Sequence, residues 1–159
     1  VRCFDDNQWK DAYGKEITSD KLFDELEKYL MKGGTIYIGT DSQYSAGKCV
    51  FASVIGMHIR ELKIGNYFFI KKKELNWAYK DLRTKINKEI QMSIDIATYL
   101  REKYTSANIE IHADVGTKEK NATNKLVDSI RGWVIGMGYI FKCKPNSWAS
   151  TSVADWHTK

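Results

Sequence analysis

Residues 35–73 decide the fold. Thr35-Ile36-Tyr37-Ile38-Gly39-Thr40 ends at Asp41, CVFASVIGMHIR fills residues 49–60, and Asn66-Tyr67-Phe68-Phe69-Ile70 runs into Lys71-Lys72-Lys73. The first run is short and β-rich. The second is almost continuously apolar and β-branched, as a strand buried on both faces is. The links around Gly47 and Gly65 are short enough for hairpins, so the three runs predict an antiparallel meander.

Outward from this meander the period changes to that of helices. Leu22, Phe23, Leu26, Tyr29 and Leu30 recur at helical spacing, with Thr18 or Ser19 to cap and Gly33-Gly34 to stop. Residues 1–17 are mixed and aromatic, an extension expected to pack loosely or pair at an edge. After the meander, Leu82, Ile86, Ile90, Ile94, Ala97, Leu100 and Tyr104 trace a stripe along a helix over roughly 78–104. Residues 108–113 alternate as a strand ending at Asp114, and a helix is predicted over about 122–137. A last strand follows over 139–144, then a terminal helix over 147–158 after Pro145. Three consecutive strands followed by alternation predict an α/β fold: a mixed five-stranded sheet, three strands antiparallel and two parallel, with helices on both faces.

At 159 residues the chain fits one domain, read as 1–159 with 1–34 an amino-terminal extension containing one helix. Hydrophobic residues at 43% exclude a wholly disordered chain, and the absence of an 18-residue apolar run excludes a transmembrane helix. The amino terminus has no basic flank leading into an apolar block, so no secretory signal is read. Because the chain begins at Val1, removal of a residue or of a longer leader is expected. Cys3, Cys49 and Cys143 are scattered and odd in number, which predicts neither a disulfide framework nor a zinc site, and a cytoplasmic setting. The net charge of +5 is compatible with a polyanionic partner without requiring one.

Four acids stand in suggestive places. Asp41 and Asp114 end strands, where strands hand over to loops and α/β sheets often carry their chemistry. Asp41 shares a face with Tyr37 and Gly39, and Gly39 leaves room beside it. On the long helix, Glu89 falls roughly 60° from the centre of the apolar stripe, whereas Asp81, Asp95 and Glu102 lie roughly 140° to 180° away. Glu89 is thus the acid of that helix aimed at the sheet, and burial demands a metal or a basic partner beside it. Asp155 lies on the terminal helix. Each residue has an ordinary alternative. The aspartates suit turns, helix caps or an exposed helix surface, and Glu89 can pair with Lys85 or Arg83.

The order of strands and acids resembles the ribonuclease H-like superfamily. Ile109-Glu110-Ile111-His112-Ala113-Asp114 looks like its fourth strand, the run from Glu89 to Glu102 like its acid-bearing helix, and Val153-Ala154-Asp155 like its closing element. More narrowly, Gly39-Thr40-Asp41-Ser42-Gln43, His112-Ala113-Asp114-Val115-Gly116 and Lys144-Pro145 are similar to the YkuK-like bacterial group of predicted ribonuclease H-related proteins. The resemblance implies a two-metal phosphodiesterase cleaving RNA, possibly in RNA–DNA hybrids, with Asp41, Glu89, Asp114 and Asp155 as catalytic residues and ligands of two Mg²⁺ or Mn²⁺ ions. It implies a nucleic-acid partner and no membrane, with the chain taken as a monomer. The alternatives are a structure-selective DNA nuclease, or a non-catalytic nucleic-acid-binding or protein-interaction module that keeps the fold. Ser42-Gln43 after Asp41 departs from the Asp-x-Glu of proofreading exonucleases. His157 follows Asp155, where relatives place a mobile histidine before the acid, and His112 is read as orienting the site. The densest basic region is Lys71-Lys72-Lys73 with Lys80, Arg83, Lys85 and Lys88, which could track a phosphate backbone. Trp77, Tyr79 and Trp148 could stack on bases.

Overall fold

The structure is a computed structural model that describes residues 4, 8–59, 61–116 and 121–159, the side chains of 121–123 excepted. The meander forms as the sequence predicts: β2 (Thr35–Ser45), β3 (Lys48–Ile59) and β4 (Ile64–Leu75) pair antiparallel in turn, after a short β1 (Lys10–Asp11). Ala46 and Gly47 join β2 to β3 with φ of 49° and 80°. Positive φ at both central residues matches the twist of the flanking strands, so the hairpin closes in two residues.

Two expectations about the sheet need correction. It has six strands rather than five, in the order β1-β4-β3-β2-β5-β6. β1 adds to the β4 edge, with Lys10 opposite Phe69 and Asp11 opposite Phe68. Of the two outcomes expected for the extension, edge pairing is the one seen, and among its described residues Trp9 is fully buried and stacks on Phe4 at 5.3 Å. The second correction concerns strand length. β2 does not end at Asp41 but pairs with β3 as far as Ser45, and β4 continues through Lys71-Lys72-Lys73. Exposed polar side chains hide these extensions from a reading based on apolar pattern.

The remaining elements are α1 (Ser19–Met31), α2 (Leu82–Lys103), β5 (Ile109–His112), α3 (Asn121–Gly136), β6 (Ile140–Lys142), a π-helical turn (Ala149–Ala154) and α4 (Asp155–Thr158). Thr18 caps α1 by accepting from the Lys21 N–H at 3.3 Å. α2 starts later than predicted because Asp81 caps it, accepting from Thr84 N–H at 3.0 Å, while Trp77–Lys80 form a separate 3-10 turn capped by Asn76. β5 pairs parallel to β2 and β6 parallel to β5.

Strand alternation divides the residues between two faces. Ile36, Ile38, Ile55, Phe68 and Ile111 face one large core shared with Leu22 and Leu26 of α1, Ile90 and Ala97 of α2, and Ile130 and Val134 of α3. The opposite face, carrying Gly39, Val54 and Phe69, is covered by the carboxyl-terminal turn and α4 through Ala154 and His157. Among the described residues no helix is long and apolar enough to cross a membrane. Cys49 and Cys143 are free thiols, and Cys3 lies outside the described residues.

Candidate functional site

β5 ends while β2 continues, and the site follows from that mismatch. The parallel register runs from Ile36 opposite Ile109 to Gly39 opposite His112. Two residues further, the same register carries Asp114 alongside Asp41. Past this point the β2 edge has no parallel neighbour among the described residues, so side chains from both faces can meet around it. Asp114 is held at the notch by flanking backbone bonds, Ala113 N–H to the Lys142 carbonyl at 2.9 Å and Lys144 N–H to the Val115 carbonyl at 3.0 Å.

Asp155 arrives from the carboxyl-terminal segment, which is seated on two glycines. A Cβ on Gly39 would stand 2.6 Å from the backbone of Ala149 and Ser150, and one on Gly56 would stand 2.6 Å from the Trp148 ring. The room beside Asp41 expected at Gly39 is therefore filled by this backbone. His112 pins the same segment: its Nδ1 accepts from Ala149 N–H at 3.1 Å, which leaves the proton on Nε2, 3.3 Å from Glu110 Oε1. Burial pushes the His112 pKa down, against the opposing pull of Glu110, and the ring serves as a neutral anchor. At the far end His157 stacks on Phe69 at 3.6 Å and bonds Tyr67 Oη at 3.1 Å, so it holds α4 down.

Glu89 comes from the other face. It is 4% exposed, as the helical wheel predicts, while Asp81 and Glu102 are exposed and Asp95 is half-buried. Its Oε1 accepts from the Ser42 hydroxyl, which projects to the α2 side because it neighbours Asp41 in the strand. One layer below, Thr40 joins the strands to the helix through buried hydroxyl contacts of 2.8 Å to both Ser53 and Ser93. Sequence reading missed these four hydroxyls. Their signal is the parity of β2, in which Thr40 and Ser42 alternate with Asp41.

The electrostatics bind the four acids into one group. Burial pushes the Asp41 carboxyl up to about 7, helped by the charge of Asp114 and by the contact and charge of Asp155, against a backbone hydrogen bond at Ser42. Burial likewise pushes Glu89 up to about 8; the Ser42 bond and Lys85 oppose it, while Asp41 and Asp114 add to it. Basic side chains reach the outer acids: Lys144 Nζ is 2.9 Å from Asp114 Oδ1 and Lys159 Nζ is 3.2 Å from Asp155 Oδ2. Both lysines are well exposed. Lys85 Nζ donates to the Ser42 carbonyl at 3.4 Å. The outer acids are thus paired with lysines at the rim, while burial favours the protonated form of Asp41 and Glu89 despite Lys85.

A model of the ribonuclease H-like family matches residues 19–159. The chain belongs to the ribonuclease H-like family. Within it, the uncharacterized protein YkuK of Bacillus subtilis (strain 168) is 23% identical over 163 residues, covering 91% of this chain and 92% of its own. The family match begins at α1, so β1 and the buried Trp9 lie before it.

The ribonuclease H-like fold brings together all four acids singled out from the sequence, three through the sheet face of Asp41 and one through α2. Among the described residues no three His, Cys, Asp or Glu side chains are already arranged around a single ion position. The donor chemistry nevertheless fits a divalent cation, since carboxylate oxygens are what Mg²⁺ and Mn²⁺ take and four carboxyls act on one another here. The aromatic candidates divide. Trp77 is 71% exposed, Trp148 lies over Gly56, and Tyr79 is a core residue whose hydroxyl donates to Glu74 at 2.6 Å.

Proposed function

We propose that this ribonuclease H-like protein is a divalent-metal-dependent phosphodiester hydrolase acting on RNA, including RNA paired with DNA. The observation that carries the reading is the pair of buried carboxyls, Asp41 and Glu89, raised by burial and by the neighbouring acids, with Lys85 only partly offsetting the rise at Glu89. Asp41, Glu89, Asp114 and Asp155 would hold two Mg²⁺ or Mn²⁺ ions. Such ions, when bound, supply a water nucleophile at neutral pH and neutralise charge on the attacked phosphate.

The chain's own residues do the rest. Ser42 and the Thr40 hydroxyl layer fix Glu89 against the notch, and His112 with Gly39 seats the segment bearing Asp155. Taking up cations requires Asp41 and Glu89 to release the protons that burial favours, so affinity rises with pH through that range. Lys144 and Lys159, being exposed, can leave Asp114 and Asp155 at little cost.

The test is cleavage of labelled RNA, hybrid, DNA duplex and branched DNA with Mg²⁺ or Mn²⁺, by the parent chain and by Asp41→Asn and Asp114→Asn. Cleavage by the parent, lost in both variants with the fold intact, is the expected result. Cleavage confined to branched DNA reassigns the substrate. A second reading, a binding module that keeps the fold without catalysis, draws on the lysine pairs at Asp114 and Asp155. Nucleic-acid binding with no cleavage under any ion would establish it.

A further inference from the structure

The sheet face that carries Asp41 continues past the acids as an uncovered ledge. Antiparallel register sets Asp41 opposite Ala52 and Ala52 opposite Lys71; the next row is Gln43, Val50 and Lys73, and the last is Ser45, Lys48 and Leu75. Residues directly opposite each other project to the same face. Lys48, Lys71 and Lys73 therefore stand on the side of Asp41. Lys72 and Glu74 stand on the other side, where Glu74 lies 3.7 Å from Lys88 and takes the Tyr79 hydroxyl. The basic run of the sequence is thus divided between two surfaces, a division visible only from the register.

The ledge has the composition of an anion track. Gln43, Lys48, Lys71 and Lys73 are exposed, and Asp41 is the only acid in the three rows. Among the described residues Lys48, Lys71 and Lys73 form no ion pair. The carboxyl-terminal segment covers this face at Gly39 and Phe69 and reaches the Asp41 row through Asp155, whereas Gln43 and Lys73 of the next row and Ser45, Lys48 and Leu75 of the last are exposed. Strands lie about 4.8 Å apart and alternate residues along a strand about 6.8 Å apart. Lys71 is then rooted roughly 10 Å across the sheet from Asp41, and Lys73 one step further along.

Resting on the nuclease reading above, we propose that the phosphate backbone of the nucleic-acid strand engaged at the acids leaves over this ledge, held by Lys48, Lys71 and Lys73. Lysine binds phosphate as a point charge without reading sequence, so these contacts set position and affinity and leave base preference unchanged.

Salt dependence of binding tests the proposal, because each phosphate contact to a single strand contributes about 0.7 to the slope of log K against log salt. The full chain is titrated with fluorescent single-stranded RNA of several sequences, as the parent, as Lys71→Gln/Lys73→Gln and as Lys72→Gln. The double variant is expected to flatten the slope by about 1.4, which between 50 and 200 mM salt means roughly a sevenfold smaller loss of affinity. Lys72→Gln, between them in sequence but on the opposite face, leaves the slope unchanged. Equal effects of Lys72→Gln and the double variant, or no change in the double variant, overturn the proposal, as does absence of RNA binding by the parent. Cleavage is measured on the same preparations. If no cleavage occurs while the face-specific slope change is present, the nuclease reading fails and the ledge stands.

Discussion

Replacing Glu89 with Gln should stabilise the ion-free protein, by an amount that depends on pH. The folded chain holds the Glu89 carboxyl near 8, against an ordinary value of 4.5. Below 4.5 the folded and unfolded chains both carry the proton, and the group has no effect. As pH rises above 4.5 the unfolded chain releases the proton and the folded chain keeps it, so stability falls until pH passes about 8. At 1.36 kcal/mol per pKa unit the penalty is about 1 kcal/mol at pH 5 and about 3 kcal/mol at pH 7. Gln removes it while its amide oxygen still accepts from Ser42. For a domain of this size Glu89→Gln should raise Tm by roughly 2–4 °C at pH 5 and roughly 6–12 °C at pH 7, in chelator. Added Mn²⁺ should narrow the gap, because it stabilises the parent more than the variant, which has lost a ligand. Thermal unfolding followed by circular dichroism, at both pH values with and without Mn²⁺, checks this. A gap that is absent, reversed or equal at the two pH values refutes the reasoning, since it would mean that Glu89 ionises in the folded chain as easily as in water.

Gly39→Ala should loosen the carboxyl-terminal segment, because the added Cβ meets backbone at 2.6 Å and no flexible side chain can yield. A loss of about 1–3 kcal/mol in urea denaturation is expected, with cleavage falling further than stability because Asp155 is displaced. His112→Ala strands the buried Ala149 N–H, costing about 1–3 kcal/mol at neutral pH. The His112 pKa is depressed by burial, so the parent's stability from this group is complete above 6.5 and lost as pH falls through the folded value. The alanine variant should therefore lose less on acidification between pH 7 and pH 5, as read from urea midpoints.

Much of the architecture was legible because it rests on local chemistry. An almost continuously apolar run such as 49–60 fits a strand covered on both faces, the inward tilt of Glu89 follows from helical geometry, and Thr18 caps a helix whatever surrounds it. Where elements end was less legible. β2 outruns Asp41 and β4 outruns Ile70 because a paired neighbour satisfies their backbone, and exposed Gln, Ser and Lys side chains give no apolar signal of that pairing. β1 is two residues long and exists only because β4 offers it an edge.

The candidate site divides in the same way. Residue type and order along the chain were enough to single out Asp41, Glu89, Asp114 and Asp155, since strand ends and helix faces are local properties. Their convergence, the seating of the last segment on Gly39 and Gly56, the anchoring of that segment by His112 and the sorting of Lys71 and Lys73 away from Lys72 belong to the tertiary structure alone. Each depends on register between strands distant in sequence, and a shift of one residue sends every side chain of a strand to the opposite face.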